Sequence, residues 1–241
     1  MTSVAEVATA IASAGVPLLY LDACALLDIV RGHRDAFGRD HARAAVKLVE
    51  LVEAKSLTLV LPEQITNELT DNLAEVQKSG TASIAALNAK VQQMHEIMLA
   101  FGVVAPAHTL PPPSAYETLA DNLVGRYLSA AITAETTDQA IQKASQRVIT
   151  ATAPAATGKQ SFKDCLVLEG CFETLAAARA LGFGAAAHFM STNLAEYADP
   201  AKKALTPNWS ASSRALGSSS PGIFSSCAIC RRSPRSRPCR R

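Results

Sequence analysis

Aromatic side chains are scarce in this 241-residue chain: one tryptophan, four tyrosines and seven phenylalanines make up 5% of it. A two-sheet sandwich fills its interior largely with aromatic and β-branched groups, so this shortage, beside abundant alanine, points to helices packed closely on a small sheet. No lysine or arginine occurs in the opening "MTSVAEVATAIASAG", which carries Glu6 instead, so a secretory leader is not expected and the cytoplasm is the expected compartment. Long apolar runs are missing too. The longest uncharged stretch, Ile97 to Tyr116, is cut by Pro106, Pro111, Pro112 and Pro113, which rules it out as a spanning helix.

Several motifs are absent. No glycine-rich loop follows the first strand candidate, which argues against dinucleotide binding. "LDACAL" lacks the second carboxylate of an Asp-x-Asp phosphotransfer site, and six residues rather than five separate Cys24 from Arg31, so a phosphatase loop is excluded. Cys24, Cys165 and Cys171 fall in apolar helical patterns and read as small buried hydrophobes, not a disulfide framework. Cys227 and Cys230 form one C-x-x-C with Cys239 beyond, but without a fourth ligand of the usual kind zinc is not expected.

Acids and lysines vanish from the end of the chain. All 21 acids and sixteen of the 23 basic residues lie before Leu205, leaving residues 1–204 at −5 and the remainder at +7. The Ser/Arg/Pro/Cys-rich 205–241 reads as a disordered end, a basic arm or a wrong-frame translation, and nothing in it reads as a strand or helix. A hydrophobic content of 49% over the whole chain is enough for a real core.

Periodicity gives an α/β pattern. A short helix "SVAEVATAIASA" precedes strand "LLYL" and helix "ACALLDIV"; amphipathic residues 40–54 lead to strand "SLTLVLP". Two helices follow, "PEQITNELTDNLAEVQKS" and "TASIAALNAKVQQMHEIMLA", then a third strand candidate, "FGVVAP". Residues 105–160 read as a helical insertion with helices "SAYETLADNLVGRYLSAAIT" and "ETTDQAIQKASQRVITA". A long helix from Phe162 to Leu181, a fourth strand "AAAHFMSTN" and a helix "LAEYADPAKKA" complete the pattern. Strands alternating with helices imply a parallel sheet whose site lies at the carboxyl ends of its strands.

"YLDACALLD" poses the main question, because an apolar strand ends abruptly on Asp22. Glu68 lies about two turns into the helix after the second strand, Asp164 in the first turn of the helix before the fourth, and Thr192 and Asn193 at the end of the fourth. These positions can meet at one rim of a parallel sheet. Three carboxylates and an amide so crowded would call for a hard cation with oxygen ligands, Mg²⁺ or Mn²⁺. Blander roles compete: Asp22 as a helix cap, Glu68 on a solvated face, and Asp164 as a favourable charge at a helix N-terminus. Asn193 could ligate through its carbonyl, orient water or cap a helix, and Lys159, Lys163 and Arg147 could hold substrate phosphates or simply be solvated.

"LLYLDACALLD", "LPEQITNEL", "GKQSFKDCLVLEGCFETL" and "HFMSTNLAEY", in that order from Leu18 to Tyr197, resemble the PIN-domain nucleases, in particular the larger bacterial type. The resemblance implies a three-layer α/β/α sandwich around a parallel sheet, with extra helices before the last motif. It also implies a metal-dependent endoribonuclease acting on RNA, with Asp22, Glu68 and Asp164 as metal-binding catalytic acids. Glu169 resembles a further acid of the larger members, and Asn193 stands where the pattern usually has an aspartate. An antitoxin-like inhibitor and a homodimer stay open as partners. A PIN-like fold without turnover, serving as an interaction or regulatory module, is the alternative.

Overall fold

The computed structural model describes residues 2–31, 39–103, 111–155, 161–192, 197–199, 204–205 and 224–226. Helix α1 (Val4–Ala14) starts on a reciprocal cap, in which the Ser3 side chain accepts from the Glu6 N–H and the Glu6 carboxylate takes the Ser3 N–H. It stops at Gly15, whose φ of 64° is cheap only for glycine. Strand β1 (Leu18–Leu21) is buried at all four positions, as a central parallel strand must be. There follow α2 (Ala23–Arg31), α3 (Arg39–Glu53), β2 (Thr58–Pro62), α4 (Glu63–Ala100), α5 (Pro113–Ala130), β3 (Ile132–Ala134), α6 (Asp138–Ile149), α7 (Phe162–Ala180) and β4 (Ala187–Met190). Short strands β5 (Ala198–Asp199) and β6 (Ala204–Leu205) pair antiparallel, and β7 (Phe224–Ser226) comes last.

The central sheet is all parallel, in the order β3-β2-β1-β4-β7. From β1 the chain steps to β2 and β3 in one direction, then crosses to β4 on the other side of β1. Right-handed crossovers therefore put α2 to α5 on one face and α6 and α7 on the opposite face, where α1 packs against α7. This makes the α/β/α sandwich. The order reverses between β1 and β4, and a crevice opens at their carboxyl ends where the two connections diverge.

One apolar core joins the layers. Leu18, Tyr20, Leu59, Val60 and Leu61 of the sheet are sealed between Leu26 and Ile65 on one side and Leu168 and Leu175 on the other. The hydroxyl of Tyr20, buried beneath α7, pairs with Thr174 Oγ1 at 2.8 Å, which satisfies both groups. No helix among the described residues is long and apolar enough to cross a membrane.

Four expectations from the sequence are corrected. The third strand is Ile132–Ala134, not "FGVVAP", of which residues 101–103 form no strand and residues 104–106 lie outside the described residues. The helix before it ends at Ala130, and Ile132 and Thr133 pair beside Val60 and Leu61, so segment 105–160 supplies an edge strand as well as helices. Thr2 covers that edge, donating to Thr133 O and accepting from the Glu135 N–H, both at 3.1 Å.

The two helices expected on either side of Gly80 are a single α4 of 38 residues. Gly80 sits there because α2 crosses against it: a Cβ would come 3.0 Å from the carbonyl oxygen of Val30. Of the helix expected after β4, Tyr197 is helical and residues 194–196 lie outside the described residues, while Ala198–Asp199 and Ala204–Leu205 pair as β5 and β6, consistent with Pro200 disfavouring helix at Asp199. The end of the chain, expected to hold no strand, supplies β7, paired in parallel with β4 from Ala187↔Phe224 to Phe189↔Ser226.

Candidate active site

Asp22 extends β1 by one residue. Its N–H donates to Met190 O at 3.0 Å, prolonging the ladder to β4, and its carbonyl accepts from the Ala25 N–H at 3.1 Å as α2 begins. The side chain is 5% exposed. A carboxylate buried this far requires donors, and Oδ2 accepts the Ser191 hydroxyl at 2.7 Å and the Cys24 thiol at 2.9 Å. Ser191 directly follows β4, so the two central strands meet through this contact.

Burial pushes the Cys24 thiol up to about 12, helped by the charge of Asp22, while the hydroxyls of Ser191 and Thr192 pull weakly the other way. Cys24 is therefore a neutral donor to Asp22 and no nucleophile. Cys165 and Cys171 are fully buried, as their apolar settings suggested.

Asp164, half-buried in the first turn of α7, accepts on Oδ1 from the Tyr197 hydroxyl at 3.2 Å. Tyr197 is 2% exposed, and its ring leans on Phe189 of β4 with centroids 5.1 Å apart and planes 55° apart. Its hydroxyl is pushed far above the usual phenol range, first by burial, then by the charges of Asp22 and Asp164. Of the two acids, Asp164 touches this phenol directly, whereas Asp22 acts on it through its charge.

Glu68 stands half-buried on α4, where its carbonyl accepts from the Asn72 side chain at 2.8 Å. Among the described residues, no three His, Cys, Asp or Glu side chains are gathered closely enough to hold a metal ion, so Glu68 does not close a ready three-acid set with Asp22 and Asp164. Asn193 and Lys159 lie outside the described residues. Thr192 is exposed beside Ser191, and Lys163 is exposed one residue before Asp164. Asp22 and Asp164 offer hard carboxylate oxygens, donors of the kind that Mg²⁺ or Mn²⁺ takes.

Two site expectations meet a different arrangement. Glu169, read as a metal-binding acid, is 6% exposed and accepts on Oε1 from Nε of Arg147. Arg147, read as a phosphate contact, is 8% exposed; it also donates from Nη1 to Ala153 O at 2.8 Å, and its guanidinium lies 5.7 Å from the Phe172 ring centroid. Each therefore meets the other's charge between α6 and α7. The reason is helical geometry: five residues after Asp164, Glu169 faces away from it, toward α6.

Ser191 and Tyr197 received no role from the sequence, and Cys24, read as a small buried hydrophobe, is only partly buried and donates to Asp22. Ser191 left a trace as one of the small polar residues ending the fourth strand. Tyr197 left a weaker one, as the aromatic closing "STNLAEY". Residues 19–197 match the sequence family described as PIN domain. No curated protein and no solved structure matches the chain.

Proposed function

The chain belongs to the PIN-domain family, a nuclease-type fold, and on that premise we propose that it is a Mg²⁺- or Mn²⁺-dependent endoribonuclease of the cytoplasm that hydrolyses RNA phosphodiester bonds. The observation that carries the reading is the place of Asp22 at the carboxyl end of β1, where the strand order reverses, with Asp164 tied through Tyr197 to Phe189 of the neighbouring β4. Asp22 and Asp164 would hold the cation, with Glu68 reaching in from α4 and Asn193 offering its carbonyl as the fourth position. When bound, the ion supplies Lewis acidity, making water a better nucleophile near neutral pH and offsetting charge on the attacking and leaving oxygens.

The chain's own residues position and anchor. Asp22 is held by Ser191 and Cys24, and Asp164 by Tyr197, so neither has to be ordered when substrate arrives. Exposed Lys163 presents an ammonium to a backbone phosphate beside Asp164, and exposed Thr192 a hydroxyl. These contacts read phosphates rather than bases, so they orient the RNA without choosing its sequence.

A second reading has its own support. Asn193 stands where the family pattern usually has an aspartate, and the described residues hold no closed three-acid set. Both favour a PIN-like fold that acts as an interaction or regulatory module. Purified protein incubated with mixed RNA, with and without Mn²⁺ and beside Asp22→Asn, separates the two. The nuclease reading expects Mn²⁺-dependent cleavage that Asp22→Asn abolishes. Intact RNA at every Mn²⁺ concentration, with no rise in melting temperature on adding Mn²⁺, selects the module.

A further inference from the structure

Both acids take a neutral hydrogen-bond donor from the chain that leaves β4. Ser191 donates to Asp22 Oδ2 at 2.7 Å, and six residues later Tyr197 donates to Asp164 Oδ1 at 3.2 Å. A carboxylate turns easily about its last torsion, so a donor on one oxygen fixes where the other points. Tyr197 is well placed to be such a donor: it is 2% exposed and its ring is packed on Phe189, so the hydroxyl cannot swing away without unpacking the end of β4. Toward Asp164 Oδ1 it is the donor.

We propose that Tyr197 is the positioning residue of this site: its hydroxyl orients Asp164 and, with Ser191 on Asp22, sets the spacing at which the two acids take the cation. The proposal rests on the metal-dependent nuclease reading. Groups that orient metal-binding carboxylates characteristically change metal affinity by about 10–100-fold when removed.

Tyr197→Phe tests it, because the ring against Phe189 stays and the hydroxyl alone goes. Calorimetric titration of the full chain with Mn²⁺ should show affinity falling about tenfold or more in Tyr197→Phe, and no comparable further fall when the change is added to Asp164→Asn. Half-maximal RNA cleavage should need correspondingly more Mn²⁺, with the rate at saturating Mn²⁺ largely recovered. Unchanged Mn²⁺ affinity in Tyr197→Phe overturns the proposal. Should that variant fail to fold, Ser191→Ala carries the test by the same titration, and wild-type affinity there overturns it equally.

Urea unfolding of the metal-free wild type, both single variants and the double variant separates this proposal from the reading it rests on. Coupling between Tyr197 and Asp164 with no Mn²⁺ binding by the wild type upholds the orienting contact and overturns the nuclease reading. Absence of coupling overturns the positioning role whatever the metal does.

Discussion

Glu169→Gln is expected to weaken the fold and leave metal binding alone, the opposite of what a metal ligand would do. Glu169 and Arg147 are 6% and 8% exposed, so the pair is well screened from water. Losing the carboxylate's charge leaves the guanidinium buried, beside the Ala153 carbonyl and the Phe172 ring, without that counter-charge. Breaking a buried ion pair from one side costs about 3–5 kcal/mol, and because the glutamine amide oxygen can still accept, the low end, about 3 kcal/mol, is the expected loss. With a urea slope near the top of the usual range of about 1–3 kcal/mol/M, suited to a chain of this size, the unfolding midpoint should drop by about 1 M. Circular dichroism in a urea series reads this directly, and a Mn²⁺ titration of the same sample reads the metal. The joint variant Arg147→Met/Glu169→Leu removes both charges and should recover most of the loss, since a packed apolar pair often matches a buried ionic one. A wild-type midpoint for Glu169→Gln together with weakened Mn²⁺ binding would refute this reasoning and return Glu169 to the metal site.

Gly80→Ala should destabilise by about 1–3 kcal/mol even though alanine is the better helix former by about 1 kcal/mol, because its Cβ would meet the Val30 carbonyl oxygen at 3.0 Å; a raised melting temperature would contradict the packing. Burial holds the phenols of Tyr20 and Tyr127 above their ordinary value of 10.0, and Tyr127 also gives its hydroxyl to Ala45 O at 2.5 Å. The unfolded chain ionises first, so the stability these phenols add is fully present below about pH 10 and is lost as the pH climbs above it. The urea midpoint should therefore fall between about pH 9 and pH 11, and fall less in Tyr127→Phe. Asn193→Asp should tighten Mn²⁺ binding about tenfold if the added charge is worth about 1.4 kcal/mol at a partly solvated site. Calorimetry showing no gain would mean that another group fills the fourth position.

Much of the sheet was legible because its central strands announce themselves. "LLYL" and "TLVLP" are apolar without alternation, as strands buried on both faces must be, and each is followed directly by a helix. "AHFM" was legible by its neighbours, the glycines before it and the small polar residues after it. β3 was not. Its three residues follow a helix with one residue between, and "SAAIT" continues the helix's composition; what makes it a strand is the open edge of β2, a partner supplied by residues some seventy positions earlier. β7 was hidden for the same reason, since "FSS" has no period of its own and pairs because β4 presents an edge. Gly80 misled in the other direction: as a local signal it breaks a helix, whereas here it admits a crossing one.

The sequence by itself determined the parallel α/β class, the carboxyl-edge position of Asp22 and the place of Asp164 at the start of a helix, because these follow from short-range pattern and from the rule that parallel strands end in a common rim. Tertiary structure alone decided which charges meet. Glu169 and Asp164 share one helix, yet Glu169 faces α6 and takes Arg147, while Asp164 faces the end of β4 and takes Tyr197. Hydrogen-bond partners are chosen by distance in space and by the cost of leaving a buried charge unmatched, and neither quantity is written along the chain.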